Sequence, residues 1–270
     1  MMKRHGFHAF SHFNNRWEVV QAKRLTKRIF IIDWWRGLAI LGMLVHHTCF
    51  DLIHIWQKPW GIFIEADWFQ LTIHPFIIAS FVGLAGFSCS LSKRPFKRCL
   101  RLSLVAVLIT VVSLGIEHYL GAGYVMIFQV LHLLAVCSLF YAFFRQHLTA
   151  KVWLLIALFC FCLNRYSLSW LGADQLPGWL LPLGMGVANA PNMGDYLPLF
   201  PWAGWFCLGV WSAKCYREKL ASLDHTLQMK YPFLRRSLLA WMGKHALPIY
   251  LIHQPLLLLA LYLIGYLFRW

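Results

Sequence analysis

The chain has 270 residues, of which 60% are hydrophobic, 17% aromatic and only 13% charged, with a net charge of +15. A soluble domain carries about 25% charged residues. Half that amount argues against a soluble globular protein, and against disorder, collagen or coiled coil as well. The basic residues fall in short runs between long apolar segments, not on one solvated face, which argues against nucleic acid as the partner.

Residues 1–29 form a basic, polar N-terminal segment, and residues 30–270 read as one membrane domain. A helix needs about 20 apolar residues to cross the hydrocarbon core. Seven runs come near this length: 30–52, 71–92, 99–120, 124–144, 151–170, 198–214 and 246–268. The predicted fold class is all-α, a polytopic integral membrane helical bundle of about seven transmembrane helices. No A-x-A-like cleavage site follows the first run, so it is expected to stay as an anchor. The 14 Trp suit anchoring at two membrane interfaces. The eight Cys contain no CxxC pair and read as small buried hydrophobes, with neither a disulfide framework nor a zinc site.

Lys and Arg set the orientation. The segment ending at Arg28 holds seven, the second-to-third connection five, the fourth-to-fifth two and the sixth-to-seventh seven. The alternate side holds three, Lys58, Arg165 and Arg269, so the N-terminus is predicted to be cytoplasmic. The outer side also carries Asp51, Glu65, Asp67, Glu117, Asp174 and Asp195. Its longest loop, 171–197, contains LPLGMGVANAPNMGD and reads either as a plain connector or as a flap over an outward-facing cavity.

The first run, IIDWWRGLAILGMLVHHTCFDL, carries Asp33, Arg36, His46, His47 and Asp51. Ionisable residues at membrane depth are costly and point to function. At 100° per residue, Arg36 and His47 are offset by only about 20° and lie about 16 Å apart along the axis, whereas His46 points about 80° away. Asp33 can pair with Arg36, and Asp51 can orient the imidazole of His47. The alternative is that Asp33 and Arg36 only mark the membrane interface and Asp51 the outer end. His74, His132 and His253 are further inward candidates, each equally readable as a satisfied core histidine. In SFVGLAGFSCSLS, Gly83 and Gly86 read as close-packing positions.

The string Asp33-x-x-Arg36-Gly37-x-Ala39, with His47 eleven residues after Arg36 and Asp51 four further on, resembles the catalytic-domain family of heparan-α-glucosaminide N-acetyltransferase. That family stands among the membrane acyltransferases that modify cell-surface polysaccharides. FVGLAGFSCSLSKR, LFPWAGWFCLGV and MGKHALPIYLIHQPLLL are similar to its second span, its F-P-W…G segment and its closing helix. The likeness runs from about residue 28 to 265, and the size suggests a bacterial member in the inner membrane.

The resemblance implies transfer of an acetyl group from cytoplasmic acetyl-CoA, as co-substrate, to an amine or hydroxyl of a sugar or glycan on the far side. Arg36, with Asp33, Lys93 and Arg94, is then expected at the donor phosphates, with Lys97 or Arg98 nearby. His47 is expected as general base and Asp51 as the group fixing its tautomer. His46, His74, His132 and His253 are secondary candidates. No metal or haem is expected. The lipid bilayer is the obligate environment, and Gly-rich spans allow a homodimer. The competing reading is a small transporter or flippase with His47 and Asp51 as a proton site.

Overall fold

The structure is a computed structural model that describes residues 28–121, 123, 125–166, 178–184, 193 and 195–268. The basic segment 1–27 and most of the 171–197 loop lie outside the described residues. Each of the seven apolar runs supplies a helix. These are α1 (Phe30–His54), α2 (His74–Ser90), α3 (Pro95–Leu120), α4 (Val130–Phe144), α5 (Ala150–Tyr166), α6 (Leu199–Lys230) and, after the short α7 (Leu238–Lys244), α8 (Ala246–Phe268). Among the described residues, four helical stretches are long and apolar enough to cross a membrane: Phe30–His54, Phe69–Ser90, Pro95–Leu120 and Ala246–Phe268. Val130–Phe144 and Ala150–Leu163 are apolar but shorter.

Three boundaries differ from the sequence reading, each for a local reason. The run 124–144 becomes helical only at Val130, because the chain before it folds back along α3. Thr110 Oγ1 donates to the Met126 carbonyl at 2.9 Å, and the Met126 amide donates to Ser113 Oγ at 3.0 Å. Irregular backbone is tolerated at such depth only where protein satisfies it. The sixth helix runs far past residue 214, because its second half leaves the apolar zone and docks on the start of α1. Asp224, buried there, accepts the Ile31 amide at 3.0 Å and Gln228 Nε2 at 2.6 Å. It caps α1 from a distant part of the chain, and burial raises its carboxyl pKa above the ordinary value. The third difference is α7, in a stretch expected to be connection. Ser237 caps it, accepting the Ala240 amide at 3.3 Å.

Glycines let these elements meet backbone to backbone. A Cβ on Gly37 would collide with the Leu239 carbonyl, and one on Gly243 with the Asp33 carbonyl, so α7 lies directly on α1. Gly86 and Gly209 bring α2 equally close to α6, against the carbonyls of Phe206 and Gly83. Gly86 has the packing role expected of it, whereas a Cβ on Gly83 would make only an ordinary contact with the Trp205 carbonyl, at 3.5 Å. Trp153, Leu131, Leu133, Phe206 and Val210 fill the core between α4, α5 and α6. Leu104, Leu108 and Val111 of α3, with Leu259 and Leu263 of α8, face outward as a lipid-facing surface would.

Candidate active site

The basic end of the bundle holds a cavity of about 940 Å³. Nine Lys and Arg side chains border it, among them Arg28, Arg36, Arg94, Lys97, Arg98 and Arg101. Asp33 is its one carboxylate among the described residues. Asp33 sits on the first turn of α1 and is buried. It takes Arg28 Nε on Oδ2 at 2.5 Å and Arg28 Nη2 on Oδ1 at 3.0 Å, while Arg36 Nη1 reaches Oδ1 at 3.0 Å. Arg36 Nη1 also donates to the Gly243 carbonyl at 3.1 Å, and its Nη2 donates to Ser88 Oγ. Arg36 is thus tied to α2 and α7 as well as to its own helix. An Arg at the interface would snorkel freely, but this one is held at three points.

Arg98 has a different status. Its Nη2 donates to the Ala85 carbonyl at 3.3 Å, but its Nε is buried and without a hydrogen-bond partner. Among the described residues no carboxylate pairs with it. A buried guanidinium left partly unsatisfied is costly. An anion entering this cavity would supply the missing acceptor. Lys93 and Arg94 line the same cavity from the exposed turn between α2 and α3.

A second, smaller cavity of about 130 Å³ lies further along α1. His46 and His47 of α1, His74 of α2 and Asp195 line it. The His46 ring stacks on His74, centroids 4.3 Å apart and planes 8° from parallel. His47 Nε2 lies 3.9 Å from Asp195 Oδ2, within ion-pair reach but beyond a direct hydrogen bond. The His253 ring stands 5.0 Å from that of His47. His253 Nδ1 sits 2.6 Å from the Tyr250 carbonyl, which can only accept, so the proton is on Nδ1. Its Nε2 is buried, unprotonated in that tautomer and without a partner.

The sequence candidates therefore sort into two groups. Arg36, Asp33, Lys93 and Arg94 gather at the cationic cavity, and His46, His47, His74 and His253 gather at or beside the smaller one. His132 belongs to neither. Its Nδ1 takes the Gln129 amide at 3.4 Å and its Nε2 meets Thr110 Oγ1 at 3.0 Å, closing the N-terminus of α4. The expected pairing of Asp51 with His47 is not formed. Both Asp51 oxygens accept Gln254 Nε2, at 2.9 and 3.1 Å, so this fully buried carboxylate ties α1 to α8. The carboxylate nearest His47 is Asp195, from the loop before α6, which sequence reasoning did not single out as a site residue. Arg98, expected near the donor phosphates, lines the cationic cavity, whereas Ser88 and Gln254 were missed as partners because each contact joins different helices.

Fold and site together define a polytopic helical membrane protein with a cationic cavity and a histidine-lined cavity on shared helices. Residues 28–255 match the family model described as heparan-alpha-glucosaminide N-acetyltransferase, catalytic, and the chain belongs to that family. It is an N-acetyltransferase family, which makes the chain a transferase embedded in a membrane. No curated protein and no solved structure gave a match.

Proposed function

We propose that the chain carries an acetyl group through the bundle, from acetyl-CoA in the cationic cavity to an amine or hydroxyl of a glycan at the histidine-lined cavity. One observation carries this reading: α1, α2, α4 and α8 each line both cavities, so donor and acceptor sites share their walls. The basic end, rich in Lys and Arg, is then cytoplasmic, and the N-terminus with it.

In this reading Arg36 and Arg98 hold donor phosphates deep in the cavity, with Lys93 and Arg94 at its rim. Asp33 positions Arg36. The acylated arm of the donor extends along α1 toward His47. There the neutral imidazole takes the proton as the acceptor nitrogen or oxygen attacks the thioester carbonyl. The new bond to carbon forms, the carbon–sulfur bond breaks, and the thiolate leaves to be protonated. Asp195 steadies the imidazolium while it exists. Asp51 contributes by holding α8, and with it His253, against α1.

The test uses purified protein in vesicles with radiolabelled acetyl-CoA. Label transfer to amino sugars and polysaccharide fragments, and CoA release, are followed for wild type and His47→Ala. Transfer that disappears in the variant, with the protein still folded, is the expected result. Folded wild type that binds no acetyl-CoA and releases no CoA would sink the reading and favour transport through the same path.

A further inference from the structure

The two cavities are separate and share one lining side chain, Phe81. On α1 the cationic cavity reaches Arg36 and the histidine-lined cavity begins at Ala39. On α4 the two are bordered by adjacent residues, Leu131 and Val130, and on α8 by Pro248 and Tyr250. These separations are less than one helical turn, about 5 Å. Phe81 of α2 borders both cavities at once. Its ring stacks on Tyr250, centroids 6.0 Å apart and planes 26° from parallel.

The two rings are held differently. The Tyr250 hydroxyl donates to Gln129 Oε1 at 3.2 Å, and Gln129 is itself buried at the start of α4. Tyr250 is therefore tethered to a second helix by a polar bond. A phenyl ring has no such group, and Phe81, partly buried against the core, borders a cavity on either side. Side chains move between staggered rotamers where neighbours leave room. The stacked rings present apolar surface where the two cavities adjoin, and water crosses such surface poorly.

Resting on the transfer reading above, we infer that Phe81 is the movable half of an aromatic shutter, with Tyr250 as its fixed frame. It positions the acylated arm of the donor by swinging aside for it and otherwise seals the histidine-lined cavity from the basic end. The seal has a chemical purpose. Water admitted beside the thioester competes with the acceptor: its oxygen bonds to the carbonyl carbon, the carbon–sulfur bond breaks, and acetate and free CoA leave with nothing transferred.

Two variants test this, Phe81→Ala and Phe81→Trp, in vesicles given radiolabelled acetyl-CoA with and without acceptor. Phe81→Ala is expected to release CoA without acceptor several-fold faster than wild type, so that CoA released per acetyl transferred climbs above one. Phe81→Trp is expected to slow both processes together while binding of free CoA by calorimetry stays as in wild type. Unchanged stoichiometry in Phe81→Ala, or full turnover in Phe81→Trp, would overturn the shutter. If wild type itself transfers no acetyl group, the transfer reading fails and the shutter is judged separately. Ala39→Cys, with the exposed Cys162 and Cys215 replaced by Ser, is then treated with a membrane-impermeant thiol reagent from the basic side. Labelling only when Phe81→Ala is also present supports the seal, and equal labelling with Phe81 intact overturns it.

Discussion

His47 of α1 and Asp195 of the loop before α6 meet with Nε2 and Oδ2 3.9 Å apart, the imidazole largely buried and the carboxylate half-exposed. The distance suits attraction to a protonated ring better than a bond to a neutral one. Asp195 is therefore expected to matter most after His47 has taken its proton. His47→Ala should lower kcat by roughly 100- to 10,000-fold, the usual worth of a general base. Asp195→Asn should cost less, with KM for acetyl-CoA unchanged, because the base remains and only its charged form loses support. Steady-state kinetics of both variants check the assignment: a kcat in Asp195→Asn equal to that of wild type would remove Asp195 from the site.

The cationic cavity yields a different kind of prediction. Arg98 offers a buried Nε without a partner, whereas the hydrogen bonds of Arg36 are already directed to Asp33, Gly243 and Ser88. A hydrogen bond to a charged group contributes about 1.5–3 kcal/mol. Arg98→Ala should therefore weaken binding of free CoA by roughly 10- to 100-fold, with acceptor KM unchanged. Arg98→Lys should recover only part of this, since an ammonium lacks the planar fork. Calorimetry with CoA measures both. Wild-type affinity in Arg98→Ala would place the phosphates elsewhere in the cavity.

Helical periodicity made the axis of the site legible before any coordinates. The order Asp33, Arg36, His47 along α1 follows from a spacing of 100° per residue, and the structure puts the first two at one cavity and the third at the other. Apolar run length located the helices, because hydrocarbon imposes it. The same rules could not choose among tertiary partners. A spacing of four residues permits Asp51 to reach His47, but Gln254 on α8 takes both carboxylate oxygens. Nothing in FQVLHLLAV distinguishes a catalytic histidine from one that meets Thr110 on the neighbouring helix. Asp195 sits in a loop without periodicity, where no pattern marks one acid over another.

His132 is expected to support structure and not chemistry. Both ring nitrogens are engaged, one on the Gln129 amide and one on Thr110 Oγ1. Removing a helix cap costs about 1 kcal/mol. His132→Ala should lower the Tm in detergent while leaving kcat of the folded fraction unchanged. Loss of kcat without a change in Tm would return His132 to the list of catalytic candidates.

Asp224 lies outside the membrane-spanning segments, so its titration can be followed. Burial raises its carboxyl pKa in the folded protein above the unfolded value. The stability linked to this group is then fully present below the unfolded pKa and is lost as pH rises through the folded one. Asn at this position can still accept the Ile31 amide through its side-chain carbonyl but cannot ionise. The Tm of Asp224→Asn relative to wild type should therefore increase as pH is raised from about 4 towards neutrality. Asp224→Ala removes the cap altogether and should be less stable than Asp224→Asn by about 1 kcal/mol at every pH. Thermal unfolding of the three proteins across that pH range decides the matter: a Tm difference between Asp224→Asn and wild type that shrinks with rising pH would mean that the amide of Ile31 favours the ionised carboxylate more strongly than burial opposes it.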